Sequence, residues 1–113
     1  MKDAARFLPL APATLHVLLA LAGEDLHGYA IMQEVSRQSA GSYRLGPGTL
    51  YDNLDRLLDQ GLVQETGPKS GEDSRRRYYR LTPLGRGVLT AEITRLEGVI
   101  RDAKPRLRPR RAQ

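Results

Sequence analysis

The chain has no cysteine, no tryptophan, one phenylalanine and two histidines. Without cysteine there is no disulfide framework, no thiolate zinc site and no thiol nucleophile, and the composition suits a reducing cytoplasm. His16 and His27 have no partner at metal-ligand spacing, so neither a metal centre nor a catalytic histidine is expected. His16 falls on the outer side of its helix, and His27 is expected to make a local hydrogen bond at a helix start. The longest apolar stretch, about residues 15–22, is too short to span a bilayer. Pro9 and Pro12 interrupt the segment after Lys2 and Arg6, so no secretory signal is expected. No Ser/His/Asp order is present, and Gly46-Pro47-Gly48 lacks the Lys-Ser/Thr partner of a phosphate loop. An enzyme is therefore not expected, nor is a cofactor.

What remains is a single domain's worth of sequence, 113 residues with a net charge of +5. The charge is unevenly placed. Residues 1–100 hold 12 basic and 12 acidic side chains, so the excess sits in the last thirteen, where Arg101, Lys104, Arg106, Arg108, Arg110 and Arg111 face only Asp102. A second basic cluster comprises Lys69, Arg75, Arg76, Arg77 and Arg80. Clustered cations on one segment are either solvated surface or the electrostatic footprint of a polyanion.

Hydrophobic spacing orders the chain into three helices, a hairpin and a fourth helix. Pro12 suits the first turn of a helix over about 13–22, where Leu15, Leu18, Leu19 and Ala22 share one face and Gly23 is placed to end it. A second helix is predicted over Gly28–Gln38 on the Ile31/Val35 pair, followed by the loop composition Ser39-Ala40-Gly41-Ser42. Gly46-Pro47 opens a third, where Leu50, Leu54, Leu57 and Leu58 form a stripe and Gly61 ends it; Thr49, Asp52, Asn53 and Arg56 are read as pointing outward, with Tyr51 at the flank. The period then changes. Residues 62–66 and 75–81 read as two strands joined by the polar tip 67–74, a projecting hairpin. Thr82-Pro83 caps a fourth helix whose Leu89, Ile93, Leu96, Ile100 and Ala103 follow the spacing of a helix seam, with Pro105 as its stop.

This order predicts a mainly α fold with a small β-hairpin: a winged helix-turn-helix over residues 1–82, an association helix over 83–104 and a disordered basic tail over 105–113. A helix about 11 Å across fits a major groove about 12 Å wide, and a basic hairpin beside it reaches backbone or minor groove. Four segments in order resemble the PadR-type transcriptional regulators: Leu26-His27-Gly28-Tyr29; Pro47-Gly48-Thr49-Leu50-Tyr51; Arg56-Leu57 with Gly61-Leu62-Val63; and the run from Arg75 to Gly85. The resemblance covers about residues 8–90. It implies a homodimeric cytoplasmic repressor bound to an inverted-repeat operator, in the shorter subfamily with one C-terminal dimerisation helix. Relatives of this kind respond to small aromatic or drug-like ligands at the dimer interface; with no tryptophan and one phenylalanine a stacking pocket is poorly supplied, and an effector is left open. The chain departs from the family pattern where Asp52 follows Tyr51, a position often held by proline.

The candidate DNA-binding residues are Thr49, Tyr51, Asn53 and Arg56 on the third helix and Lys69, Arg75 and Arg77 on the wing. Tyr51 reads either as a ring packing beside Leu54 or, as the resemblance implies, as a phosphate or base contact. Thr49 caps the helix or touches phosphate. Arg56 pairs with Asp52 or Asp59 or meets DNA. Asp52, Asp55 and Asp59 leave this helix acidic, which phosphate repels, although an aspartate can accept from cytosine N4. On the strand, Arg75 and Arg77 share one face and Arg76 the other; Tyr78 and Tyr79 divide likewise, one of them core. The dimer is expected to use Leu89, Ile93, Leu96 and Ile100, together with Phe7, Leu8 and Leu10. The basic tail reads as an arm on DNA, a solubility aid or a remnant. The rival function is a winged-helix module that contacts protein and binds DNA weakly or without sequence preference.

Overall fold

The computed structural model describes residues 2–67 and 76–109. A short helix α1 (Lys2–Ala5) leads into α2 (Pro12–Gly23), a two-residue strand β1 (Leu26–His27), α3 (Gly28–Gln38), α4 (Pro47–Asp59), β2 (Val63–Thr66), β3 (Tyr78–Leu81) and α5 (Pro83–Arg106). The expected winged helix-turn-helix order is present, with α3 and α4 as the helix pair. The hairpin, however, is part of a three-stranded antiparallel sheet ordered β1-β3-β2. Leu26 pairs with Tyr79 and His27 with Tyr78 on one side of β3, while Val63 to Thr66 pair with Leu81 to Tyr78 on the other. β3 is therefore the central strand. Both tyrosines are buried: Tyr79 joins the core, and Tyr78 lies outside it with His27 edge-on to its ring at 5.3 Å.

The core lies where α2, α3, α4, the sheet and the first turns of α5 meet. Val17, Leu18, Ile31, Val35, Leu50, Leu54, Leu57, Leu62, Tyr79 and Val88 are its most enclosed members. Helix ends follow local chemistry with two exceptions. Gly46 and Pro47 start α4, and Gly61 follows it at φ +76°, a conformation glycine adopts freely. Gly23 does not end α2 in a left-handed conformation; it is helical, and extended Glu24 closes the helix. Pro105 does not stop α5 either. It sits in the last turn, where a missing N–H removes one hydrogen bond, and Leu107 N–H closes the helix on the Ala103 and Lys104 carbonyls. His16 is half-buried, its ring stacked on Tyr43 at 4.7 Å rather than free on the surface.

α5 is held to the body along its first three turns. The Thr82 hydroxyl accepts from Gly85 N–H and donates to the Gly61 carbonyl, and Gly85, Val88, Leu89 and Glu92 are buried. A side chain at Gly85 would overlap the Leu62 carbonyl, which as backbone cannot swing away. Gly85→Ala is accordingly expected to lower stability by about 3 kcal/mol, roughly a 15 °C fall in Tm; a thermal melt within a few degrees of the parent would contradict this packing. Beyond Glu92 the helix leaves the body. At 1.5 Å per residue its 24 residues extend about 36 Å. Ile93, Val99 and Ile100 are exposed along it, and Leu107 beyond its end is 79% exposed. Phe7, Leu8 and Leu10, expected to need a partner chain, already pack partly on this chain's own core.

Candidate nucleic-acid interface

α3 and α4 place the outward half of α4 on the surface. Gly48, Thr49, Tyr51, Asp52, Asp55, Arg56 and Asp59 are exposed, whereas Leu50, Leu54 and Leu57 hold the helix to the core. Asp52, Asp55 and Asp59 recur at i, i+3 and i+7, so they form one face, and no ion pair with another described residue neutralises it. Arg56 lies to one side of that face, and among the described residues it pairs with none of the three. Thr49 does not cap α4; Gly46 occupies the cap position without a side-chain bond.

Asn53 is the main correction. It is 6% exposed and faces α2, where its Oδ1 accepts from the Thr14 hydroxyl at 3.0 Å and its Nδ2 donates to the Thr49 carbonyl at 3.0 Å. A side chain so held cannot reach a base edge. The phase of the helix carries the signal: Asn53 is three residues after Leu50 and four before Leu57, inside the apolar stripe. Its amide binds internally because a buried polar group must find partners.

Tyr51 lies on the opposite flank. Its hydroxyl rests over the first residue of α3, in space that a side chain at Gly28 would fill. Around it His27, Gly28, Tyr29, Arg76 and Arg77 line a surface cleft of about 350 Å³. Thus the structure joins Tyr51 to the base of the wing, while Asn53 and Arg56 line a separate recess with Phe7, Leu10 and Thr14. Lys69 and Arg75 lie outside the described residues, as do Arg110 and Arg111 of the tail. Two cleft members were not among the candidate contacts, although Arg76 was in the basic cluster. Tyr29 is 63% exposed, and its displacement from the Ile31/Val35 phase is the clue. Arg76 approaches His27 Nε2 at 2.7 Å. The expected local bond of His27 is present, with Nδ1 accepting from Ala30 N–H at 3.3 Å.

The wing's cations are partly engaged within the chain. Arg77 pairs with Glu65 across the hairpin, and its guanidinium holds the Glu65 carboxyl below the usual carboxylate range. Arg80 pairs with Asp25 at 2.7 Å, which ties β3 to the turn before β1. Gly28→Ala is expected to displace the flexible end of Tyr51, with little loss of stability but about tenfold weaker binding if the tyrosine contacts DNA. Unchanged affinity on every duplex in anisotropy titrations would remove Tyr51 from the interface.

The Transcriptional regulator PadR-like family model matches residues 17–91, from the middle of α2 into α5. The chain is 42% identical over 93 residues to the transcriptional regulator Rv3488 of Mycobacterium tuberculosis, covering 81% of this chain and 82% of the relative. Among solved structures, a transcriptional regulator from Clostridium thermocellum superposes with a TM-score of 0.70 at 24% identity, over 96% of this chain and 98% of that one. Bacillus subtilis PadR in complex with operator DNA superposes with a TM-score of 0.64 at 18% identity, over 93% of this chain and 52% of that one; these two likenesses concern the fold. No helix among the described residues is long and apolar enough to cross a membrane. Three helices, a small sheet, a wing and a projecting last helix thus coincide with the family match, and the chain belongs to the PadR-like family of transcriptional regulators, DNA-binding proteins rather than enzymes.

Proposed function

We propose that this regulator is a cytoplasmic homodimeric repressor that binds an inverted-repeat operator, with α4 in the major groove and the wing on the adjacent backbone or minor groove. The observation that carries the reading is the convergence of Tyr51 on α4 with Arg76 and Arg77 at the wing base, all on exposed surface. Tyr51 and Thr49 meet the duplex at the start of α4, where the helix dipole favours phosphate. Lys69, Arg75 and Arg77 supply wing contacts, and Arg56 flanks the groove from the other side. Asn53 takes no part in base reading.

The dimer follows from α5. Ile93, Leu96 and Ile100 continue the seam beyond the body, whereas Leu89, the first seam residue, is 6% exposed and belongs to the chain's own core. A two-fold pair places its reading helices about one DNA turn apart, near 34 Å. The operator is then an inverted repeat, and a bound dimer over a promoter lowers transcription from it.

Anisotropy titrations against the native upstream duplex and a scrambled one, across a salt series, test the reading. The native duplex is expected to saturate at two chains with a strong preference. Alanine at Lys69, Arg75 and Arg77 is expected to weaken binding on all sequences and to flatten the salt slope by about 0.9 per lost phosphate contact. Glu65→Gln is expected to strengthen binding, because it frees Arg77. An unchanged slope in the alanine variants would overturn the wing's role. No binding to either duplex at low salt would favour the protein-contact module, for which the acidic face of α4 is the reason.

A further inference from the structure

Among the described residues only two polar side chains are buried, Asn53 at 6% and Glu92 at 1% exposure. They are linked through the short segment of residues 10–14, which one of them bonds at each end. Glu92 Oε2, on α5, accepts from the backbone N–H of Leu10 at 2.9 Å. Leu10 lies just before α2, and one turn further on Thr14 donates to Asn53, which in turn holds the Thr49 carbonyl in the first turn of α4. The link therefore runs from the association helix to the start of the reading helix. Arg95 braces its far end, its guanidinium forked on the same carboxylate at 2.6 and 3.0 Å.

Burying a carboxylate is costly, and an apolar side chain would fill the same space with less penalty. What the carboxylate adds is direction, since it accepts a particular N–H from a particular side. It also ties α5 by a directed bond beyond the buried Val88 and Leu89. The Thr82–Gly85 base lies seven residues and about 10 Å earlier along the axis. Apolar packing at Val88 and Leu89 is non-directional, whereas a bond to one N–H sets a direction.

We infer that Glu92 is a positioning residue that fixes the angle between α5 and the DNA-facing body, so that the dimer accepts one spacing between operator half-sites. This rests on the homodimeric reading above. Base pairs stack about 3.4 Å apart, so a swing that shifts each reading helix by that amount moves it one base pair along the groove.

The test uses the full chain and operators whose half-sites are moved apart or together by one or two base pairs. The parent protein is expected to prefer one spacing by about tenfold or more, the scale of one mismatched pair. Glu92→Met with Arg95→Met removes the tie while keeping the site filled, an exchange that folded proteins tolerate. That variant is expected to remain a dimer, to bind an isolated half-site like the parent, and to lose most of the spacing preference. Glu92→Gln keeps an acceptor for Leu10 N–H and is expected to retain it. Full spacing preference in the double Met variant, or its loss in Glu92→Gln to the same degree, overturns the inference. A parent protein that sediments as a monomer overturns the dimer reading and the inference with it; a parent dimer that binds every spacing alike overturns the inference alone.

Discussion

Replacing Ile93 and Ile100 by aspartate is expected to give a folded monomer whose operator affinity has fallen about a thousandfold, toward the level of non-specific binding. Ile93 is 37% and Ile100 51% exposed in the single chain, so neither change opens the core. In a dimer both copies lie against apolar partners, where a full side chain of this size is worth about 1.5–3 kcal/mol. Four carboxylates, two per chain, would be desolvated in that apolar seam. Sedimentation at micromolar concentration reads the assembly, and far-UV circular dichroism reads the fold. A dimer that persists in the double variant would show that α5 does not carry association. Leu89→Asp makes the contrast: it strikes the chain's own core and is expected to unfold the body as well.

That contrast shows which parts of the fold the residues declare locally. α3 and α4 were legible because glycine and proline punctuate their starts and a leucine or β-branched stripe fixes their faces. β1 was not. Two residues, Leu26 and His27, carry no period, and they are a strand only because β3 lies beside them. The same limit applied to Leu89. Seam spacing places it on one helix face with Ile93 and Ile100, but which neighbour covers that face depends on where the body ends.

The site was legible unevenly for a related reason. Tyr51 and the wing arginines announced themselves by type and position. Asn53 and Glu92 did not, because a polar residue within an apolar stripe is read as solvent-facing until its partner is known. Asn53 finds Thr14, thirty-nine residues earlier, and Glu92 finds Leu10, eighty-two residues earlier. Their helical phase pointed inward all along; hydrogen bonds from distant segments make that burial tolerable.

The acidic face of α4 leads to the second large effect. A carboxylate in the major groove only accepts, so with α4 placed there as proposed, Asp52 and Asp55 are expected to select exocyclic amines, cytosine N4 foremost, and not the acceptor pair of guanine. The N-terminal half of a reading helix meets the base edges, which favours Asp52 over Asp59 as a reader. Asp52→Asn replaces an acceptor by a donor–acceptor pair that fits adenine N6 and N7. Preference at one position of each half-site is therefore expected to move from cytosine to adenine by about tenfold, within the 1–3 kcal/mol range of one base contact. Affinity for random duplexes should rise at the same time, since one negative charge leaves the phosphate field. Asp59→Asn should share that rise without changing any base preference. Selection from random DNA with the parent and both variants separates the two effects. If Asp52→Asn selects the same bases as the parent, the acidic face serves only to suppress non-specific binding, and sequence is then read from Tyr51, Thr49 and the wing.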